Sequence, residues 1–255
     1  KVETLALDGL TSITDEQAES LSKVEDLYLN GLTSITGEQA ESFSKIEGGL
    51  RLNGLTSITD EQAESLSKVE YLYLNGLRLI TDQQAEILSK VQALELNGLT
   101  AITDGQAENL SKIGSLVLNG LTSITDNQAE SLSKNKEWLS LNGLTSITDH
   151  QVESLSKVEY LYLNGLTSIT DQQAESLNSG EGLETNIHQN NRFSMELNGL
   201  TSISNQQAKI LSKLEALELN GLTSITDEQA ESLSKVEYLY LNGLTSITDE
   251  QAESL

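Results

Sequence analysis

A single tripeptide, Asn-Gly-Leu, recurs along the whole chain at an almost constant interval. Its copies are 22 or 23 residues apart, except for one interval of 34, and Asp8-Gly9-Leu10 is a degenerate first copy. Self-similarity at such a period is typical of solenoids, in which each repeat packs only against its neighbours. We therefore predict that residues 1–255 form one array of about eleven repeats, with a loop insertion near residues 178–191.

The segment before each tripeptide alternates apolar and polar residues, which predicts a short, half-buried strand. In the last copy, Leu239 and Leu241 are expected to face a core, while Tyr238 and Tyr240 face outward. The Asn-Gly dipeptide that follows is suited to positive φ, so we predict that the chain turns there.

After the turn, each copy continues into a predicted short helix. Thr248-Asp-Glu-Gln251 in the last copy matches the S/T-x-x-E/Q capping box. Glutamine occupies this position in all eleven copies, which a local hydrogen bond would require and solubility alone would not. Ala230 and Leu233 mark the inner face of the equivalent helix one repeat earlier. A helix this short would be marginal alone, so packing must hold it.

The pattern L-x-x-L-x-L, a turn and then a helix resembles a leucine-rich repeat. The I-T-D segment before the helix resembles the cysteine-containing and ribonuclease-inhibitor-like subclasses, and the LNGLTS motif resembles arrays in large bacterial proteins. The resemblance covers the chain apart from the insertion. It implies an α/β solenoid, an arc or horseshoe with a parallel sheet on the concave side and short helices on the convex side. It also favours a location at the cell surface or outside the cell.

The chain departs from that family at one position of every repeat. Leucine stands where the family usually has asparagine or cysteine, so we expect the family's internal hydrogen-bonded ladder to be replaced by an apolar one. Buried amides without partners cost about 1–3 kcal/mol each. Asn242, Thr245, Ser246 and their equivalents are therefore the expected partners of the turn amides. The leucines are Leu10, Leu32, Leu55, Leu77, Leu99, Leu121, Leu144, Leu166, Leu200, Leu222 and Leu244.

Composition argues against several classes of function. Lys plus Arg number 15 and Asp plus Glu number 39, and the net charge of −24 repels nucleic acid. No apolar run is long enough to span a membrane. With no cysteine and two histidines, we expect no cofactor, no metal site and no enzyme activity. His150 is expected on a solvated surface, and His188 lies in the insertion with no second histidine near it in sequence.

All seven tyrosines and the single tryptophan fall in the outward strand positions. Such residues are enriched at binding surfaces. The alternative is that tyrosine, a good strand former, was copied by recent duplication, because three copies read VEYLYLN. Trp138 and Arg51 are not duplicates and therefore carry more weight. The candidate partner-binding residues are Tyr28, Arg51, Tyr71, Tyr73, Trp138, Tyr160, Tyr162, Tyr238 and Tyr240.

Two functions remain open at this point. The first is a non-enzymatic recognition module that binds a protein, or a glycan, through the concave sheet face. Trp138 would be its anchor, flanked by Tyr71 and Tyr73 and by Tyr160 and Tyr162, and the acidic charge favours a basic partner. The second is a structural spacer or self-associating surface element. It rests on the uniform repeats and on the absence of a visible polar cap, which also suggests end-to-end contacts.

Overall fold

The computed structural model describes residues 2–135, 137–179 and 195–255. The chain forms two compact units, Lys1–Leu121 and Thr122–Leu255, and each is described by itself. His188 and residues 180–191 of the predicted insertion lie outside the described residues. The grouping of all repeats into a single array stays a prediction.

The first unit alternates strands and helices in every repeat, as the sequence predicts. Its strands pair in parallel in sequence order, and equal positions of neighbouring repeats stand in register, such as Leu50 with Leu72 and Leu72 with Leu94. The strands are β1 (Thr4–Ala6), β2 (Asp26–Tyr28), β3 (Gly49–Arg51), β4 (Tyr71–Tyr73), β5 (Ala93–Glu95) and β6 (Ser115–Val117). The helices are α1 (Asp15–Leu21), α2 (Gly37–Phe43), α3 (Asp60–Leu66), α4 (Asp82–Leu88) and α5 (Asp104–Leu110).

The second unit follows the same order. Strand β7 pairs with β8, and β10 pairs with both β9 and β11, again in parallel. Its strands are β7 (Trp138–Ser140), β8 (Tyr160–Tyr162), β9 (Met195–Glu196), β10 (Ala216–Glu218) and β11 (Tyr238–Tyr240). Its helices are α6 (Asp126–Leu132), α7 (Asp149–Leu155), α8 (Asp171–Asn178), α9 (Asn205–Leu211), α10 (Asp227–Leu233) and α11 (Asp249–Ser254). The predicted α/β solenoid is confirmed.

Each repeat contributes the same apolar positions to the core. Leu94, Leu96 and Leu99 of one repeat are buried, together with Ala107 and Leu110 of the helix that follows. Alanine at the fourth position of the helix lets the helix lie close to the strands, because its side chain is a single methyl group. The predicted inward and outward alternation of the strands is therefore confirmed in these inner repeats. In the last copy Leu239 and Leu241 are only partly buried.

The glutamine of the capping box makes two hydrogen bonds with different repeats. Gln84 Oε1 accepts from the backbone N–H of Thr81, which completes the predicted capping box. Gln84 Nε2 also donates to the backbone carbonyl of Ile58 in the preceding repeat, at 2.9 Å. Eight further glutamines donate to the equivalent isoleucine carbonyl at 2.7–2.9 Å. They are Gln39, Gln62, Gln106, Gln151, Gln173, Gln207, Gln229 and Gln251.

The turns carry a second hydrogen-bonded ladder, built by the asparagines. The backbone N–H of Asn75 donates to Oδ1 of Asn53 at 3.0 Å, and the N–H of Asn97 donates to Oδ1 of Asn75 at 2.9 Å. In the second unit, Asn220 and Asn242 are joined in the same way. Asparagine was thus correctly predicted as a partner of the turn amides. The expected apolar row is present as well, because the leucines two residues after these asparagines, such as Leu55, Leu77 and Leu99, are buried.

The glycine of the tripeptide is required by close packing and not by positive φ, which corrects the sequence prediction. None of the glycines in the nine copies below has a φ in the left-handed region. A Cβ at Gly76 would lie 2.3 Å from the carbonyl oxygen of Asn53 and 2.4 Å from that of Leu55. Neighbouring repeats therefore approach too closely for any side chain. The same contact recurs at Gly31, Gly54, Gly98, Gly120, Gly165, Gly199, Gly221 and Gly243.

We predict that Gln84→Ala lowers the free energy of unfolding by about 1–3 kcal/mol, because the carbonyl of Ile58 loses its buried donor. The matched control is the neighbouring Gln83→Ala, on an exposed position of the same helix, with an expected change within about 0.5 kcal/mol. Urea unfolding measures both values. Equal losses at the two positions would contradict the inter-repeat role of the glutamine.

We also predict opposite effects for alanine at two glycines. Gly76→Ala should destabilise the protein by about 1–3 kcal/mol, because the new methyl group meets two backbone oxygens that cannot move independently. Gly37→Ala should stabilise it by about 0.4–1 kcal/mol, because Gly37 begins helix α2 and no atom of a neighbouring residue lies within 4 Å of the place that the new methyl group takes. Thermal unfolding compares the two variants, and a stabilised Gly76→Ala would refute the close-packing argument.

Candidate functional site

The outward strand face of each unit consists of the first and last residues of its three-residue strands, together with Glu196 of the two-residue strand β9. Successive strand residues point to opposite sides, so these positions face away from the buried leucines. In the first unit the face carries Tyr28, Arg51, Tyr71 and Tyr73. In the second unit it carries Trp138, Tyr160, Tyr162, Tyr238 and Tyr240. Neighbouring parallel strands lie about 4.8 Å apart, so side chains at equal positions can touch.

In the first unit, the guanidinium of Arg51 lies between two tyrosine rings. Tyr28, Arg51 and Tyr73 stand in register on β2, β3 and β4. The guanidinium carbon is 4.5 Å from the ring centroid of Tyr28 and 4.4 Å from that of Tyr73. Nε of Arg51 is buried without a hydrogen-bond partner. Cation–π contacts of about 0.5–2 kcal/mol offset this loss.

Tyr71 stands apart from that cluster at the other end of β4. Its side chain is exposed, and a hydrogen bond with Glu70 and the charge of that carboxylate raise the pKa of the Tyr71 hydroxyl. Of the four residues predicted in this unit, the structure therefore brings together Tyr28, Arg51 and Tyr73.

In the second unit, three aromatic rings form one cluster. Trp138 stacks on Tyr162 with ring centroids 4.5 Å apart and an angle of 19° between the planes. Tyr160 tilts against Trp138 at a centroid distance of 6.4 Å. Ser140 stands in register with Tyr162, and its small side chain leaves room for the tryptophan to lean across to that ring. The structure thus brings Trp138, Tyr160 and Tyr162 together, and their role in binding a partner stays a prediction.

Two carboxylates continue this surface beyond the rings. Glu196 and Glu218 stand in register on β9 and β10. Burial is the main cause that raises the pKa of Tyr162 to about 12, and the negative charges of Glu196 and Glu218 contribute to the same shift. Burial also raises the pKa of Tyr160, assisted by Glu159. The cluster is therefore a partly desolvated aromatic surface in a negative field.

The ladder asparagines orient these carboxylates. Nδ2 of Asn164 donates to Oε2 of Glu196 at 2.8 Å, and Nδ2 of Asn220 donates to Oε2 of Glu218 at 3.1 Å. Sequence reasoning did not include the two glutamates among the site residues. Their position in the repeat could have identified them, because each is the last residue of its strand, as Tyr162 is of β8.

Tyr238 and Tyr240 lie on β11, away from the three-ring cluster. The hydroxyl of Tyr238 bonds to Glu237, and the ring of Tyr240 is exposed. The ring contacts of the cluster are made by Trp138, Tyr160 and Tyr162.

Within the described ranges, no group of three or more His, Cys, Asp or Glu side chains is placed to hold a metal ion. No helix in those ranges is long and apolar enough to cross a membrane.

Three bacterial proteins of known structure are similar to this chain in fold. A leucine-rich repeat protein, LegL7 from Legionella pneumophila, has a TM-score of 0.60 at 16% identity, covering 99% of this chain and 95% of its own. An internalin, InlF from Listeria monocytogenes, has a TM-score of 0.54 at 18% identity, covering 90% and 70%. The leucine-rich repeat protein LIC12759 from Leptospira interrogans has a TM-score of 0.52 at 20% identity, covering 99% and 76%. No protein-family model and no curated protein sequence matches the chain.

These likenesses show a leucine-rich-repeat fold. They do not support the cysteine-containing or ribonuclease-inhibitor-like subclass, and the chain has no cysteine to place at the position that defines the first of these.

We predict that Tyr162 is the tyrosine most resistant to ionisation. The unfolded chain ionises its tyrosines near pH 10, whereas folded Tyr162 stays neutral until about pH 12. Its contribution to stability is therefore complete below pH 10 and is lost as the pH rises towards 12. In a titration followed by tyrosinate absorbance, the last component is the rise near pH 12 that we assign to Tyr162. The variant Tyr162→Phe should lack this component. The double variant Glu196→Gln, Glu218→Gln should shift that component to lower pH. An unchanged last component in Tyr162→Phe would refute the assignment.

Proposed function

We propose that the outward strand faces form a recognition surface for a protein partner, with no catalytic role. The observation that carries the proposal is that every tyrosine and the single tryptophan lie on these faces, where most remain partly accessible to solvent. Large rings with a polar edge supply much contact energy at interfaces. The leucine-rich-repeat fold of the three structural neighbours supports an interaction role at the level of the fold.

Trp138 is the proposed anchor of the surface in the second unit. Its ring is already stacked on Tyr162, so binding a partner requires little further ordering of either side chain. In the first unit, the rings of Tyr28 and Tyr73 are likewise fixed by Arg51. Rigid aromatic groups of this kind lower the entropy cost of association.

The net charge of −24 supports a basic partner. Opposite charge accelerates encounter at low salt, and screening shortens the range to about 10 Å at 0.1 M ionic strength. A glycan is the alternative ligand, because sugar rings also stack on aromatic side chains.

The second candidate function is a structural spacer or self-associating element. The observation in its favour is the uniformity of the two hydrogen-bonded ladders, which join neighbouring repeats in each unit without any requirement for a ligand. This function predicts that outward aromatic residues are dispensable.

We expect Trp138→Ala to weaken capture of the partner by at least about 30-fold, the equivalent of a hot spot of about 2 kcal/mol. Tyr160→Ala combined with Tyr162→Ala should have a similar effect. The partner is first isolated by pull-down from the source organism or by a glycan array. Glu130→Ala, on the exposed face of helix α6, is the control and should bind normally. If the helix substitution abolishes capture and the aromatic substitutions do not, the strand-face proposal is refuted and the spacer function is favoured.

A further inference from the structure

The outward face of the first unit shows what a row of tyrosines on this scaffold can hold. Tyr28, Arg51 and Tyr73 occupy the last position of three successive strands, and the two rings enclose the guanidinium at 4.4–4.5 Å. Delocalised charge and a flat shape suit a guanidinium to this position. The chain therefore contains an internal example of arginine held by aromatic rings across neighbouring repeats.

The second unit has a comparable row that carries two glutamates and no arginine. Its last strand positions read Ser140, Tyr162, Glu196, Glu218 and Tyr240 from β7 to β11. Two neighbouring carboxylates thus follow Tyr162, whereas in the first unit Arg51 stands on one side of Tyr73 and Glu95 on the other. Ala216 occupies the first position of β10, so no large side chain from that strand covers the glutamates.

The carboxylates are held in place before any ligand arrives. Asn164 donates to Glu196 at 2.8 Å, and Asn198 and Asn220 donate to Glu218 at 3.3 and 3.1 Å. These asparagines are themselves fixed by the turn ladder, since Oδ1 of Asn164 accepts from the N–H of Asn198. These hydrogen bonds from asparagine amides orient the two glutamates.

We propose that the surface formed by Trp138, Tyr160, Tyr162, Glu196 and Glu218 binds an arginine side chain of a protein partner. The guanidinium stacks on the aromatic cluster and donates to the two glutamates, as in a bidentate arginine–carboxylate pair. The inference rests on the proposed recognition function and names the chemistry of the partner. Arginine is favoured over lysine because a flat fork can stack on a ring and reach carboxylates at the same time.

The test uses the fluorescence of Trp138, which is the only tryptophan of the chain and therefore reports this surface alone. The probes are pentapeptides with blocked ends that carry one arginine, lysine or citrulline between glycines. Citrulline keeps the shape of arginine without its charge. We expect the arginine peptide to change the fluorescence of Trp138 in a saturable way. The lysine peptide should bind more weakly, and the citrulline peptide should bind at least about tenfold more weakly than the arginine peptide. Binding should also weaken as salt is raised.

Matched variants distinguish the effect of these two glutamates from the effect of the net negative charge of the protein. The double variant Glu196→Gln, Glu218→Gln should bind the arginine peptide at least about tenfold more weakly. Each glutamine keeps an oxygen that can accept a hydrogen bond from the ladder asparagines. Glu95→Gln is the control, because Glu95 accepts from Asn75 in the same geometry but belongs to the first unit. It should change the affinity less than about twofold.

Equal binding of the citrulline and arginine peptides to the unaltered protein would overturn the inference, and so would normal binding by the double glutamine variant. If the citrulline peptide binds equally and Tyr160→Ala with Tyr162→Ala abolishes that binding, the recognition surface stands and only its arginine specificity falls. If no peptide alters Trp138 fluorescence and the aromatic variants also leave partner capture unchanged, the inference and the proposed function fall together.

Discussion

The side-chain amide of the capping-box glutamine is the interaction on which the rest of each unit depends. Its oxygen begins the helix of its own repeat and its nitrogen ties that helix to a carbonyl of the repeat before it, as Gln84 does for Thr81 and Ile58. A seven-residue helix would not persist alone in water. The same side chain therefore stabilises the helix and fixes the distance to the preceding repeat. That distance in turn sets the spacing of the outward side chains.

The periodic parts of this structure could be predicted from the sequence because one local pattern repeats in a fixed register. Strand alternation, the capping box and the buried leucines follow from the period and from hydrophobicity. The reason for the glycines could not be predicted, because the oxygens that exclude a side chain at Gly76 belong to the preceding repeat. The asparagines were expected to bond to the turn amides, but the sequence did not show that each bond would join an asparagine of one repeat to that of the next.

The candidate site was predictable in its aromatic members and not in its geometry. Position on the strands identified Trp138, Tyr160 and Tyr162, but the stacking of Trp138 on Tyr162 joins the first position of one strand to the last position of the next. Such a diagonal contact depends on side-chain size, here on the small Ser140 opposite Tyr162. Glu196 was overlooked because its role depends on a neighbour in space, Asn164, that is 32 residues away along the chain.

Because the two ladders fix the register of each repeat, the length of the connection from helix to strand can vary. Partners in the ladders are usually separated by 22–27 residues, yet Asn164 and Asn198 are joined across 34 residues and Ile169 and Gln207 across 38. Register is recovered at the first strand and helix after the longer connection. This junction is accordingly a natural grafting point, where a foreign segment can be spliced into the chain while the repeats on either side keep their contacts.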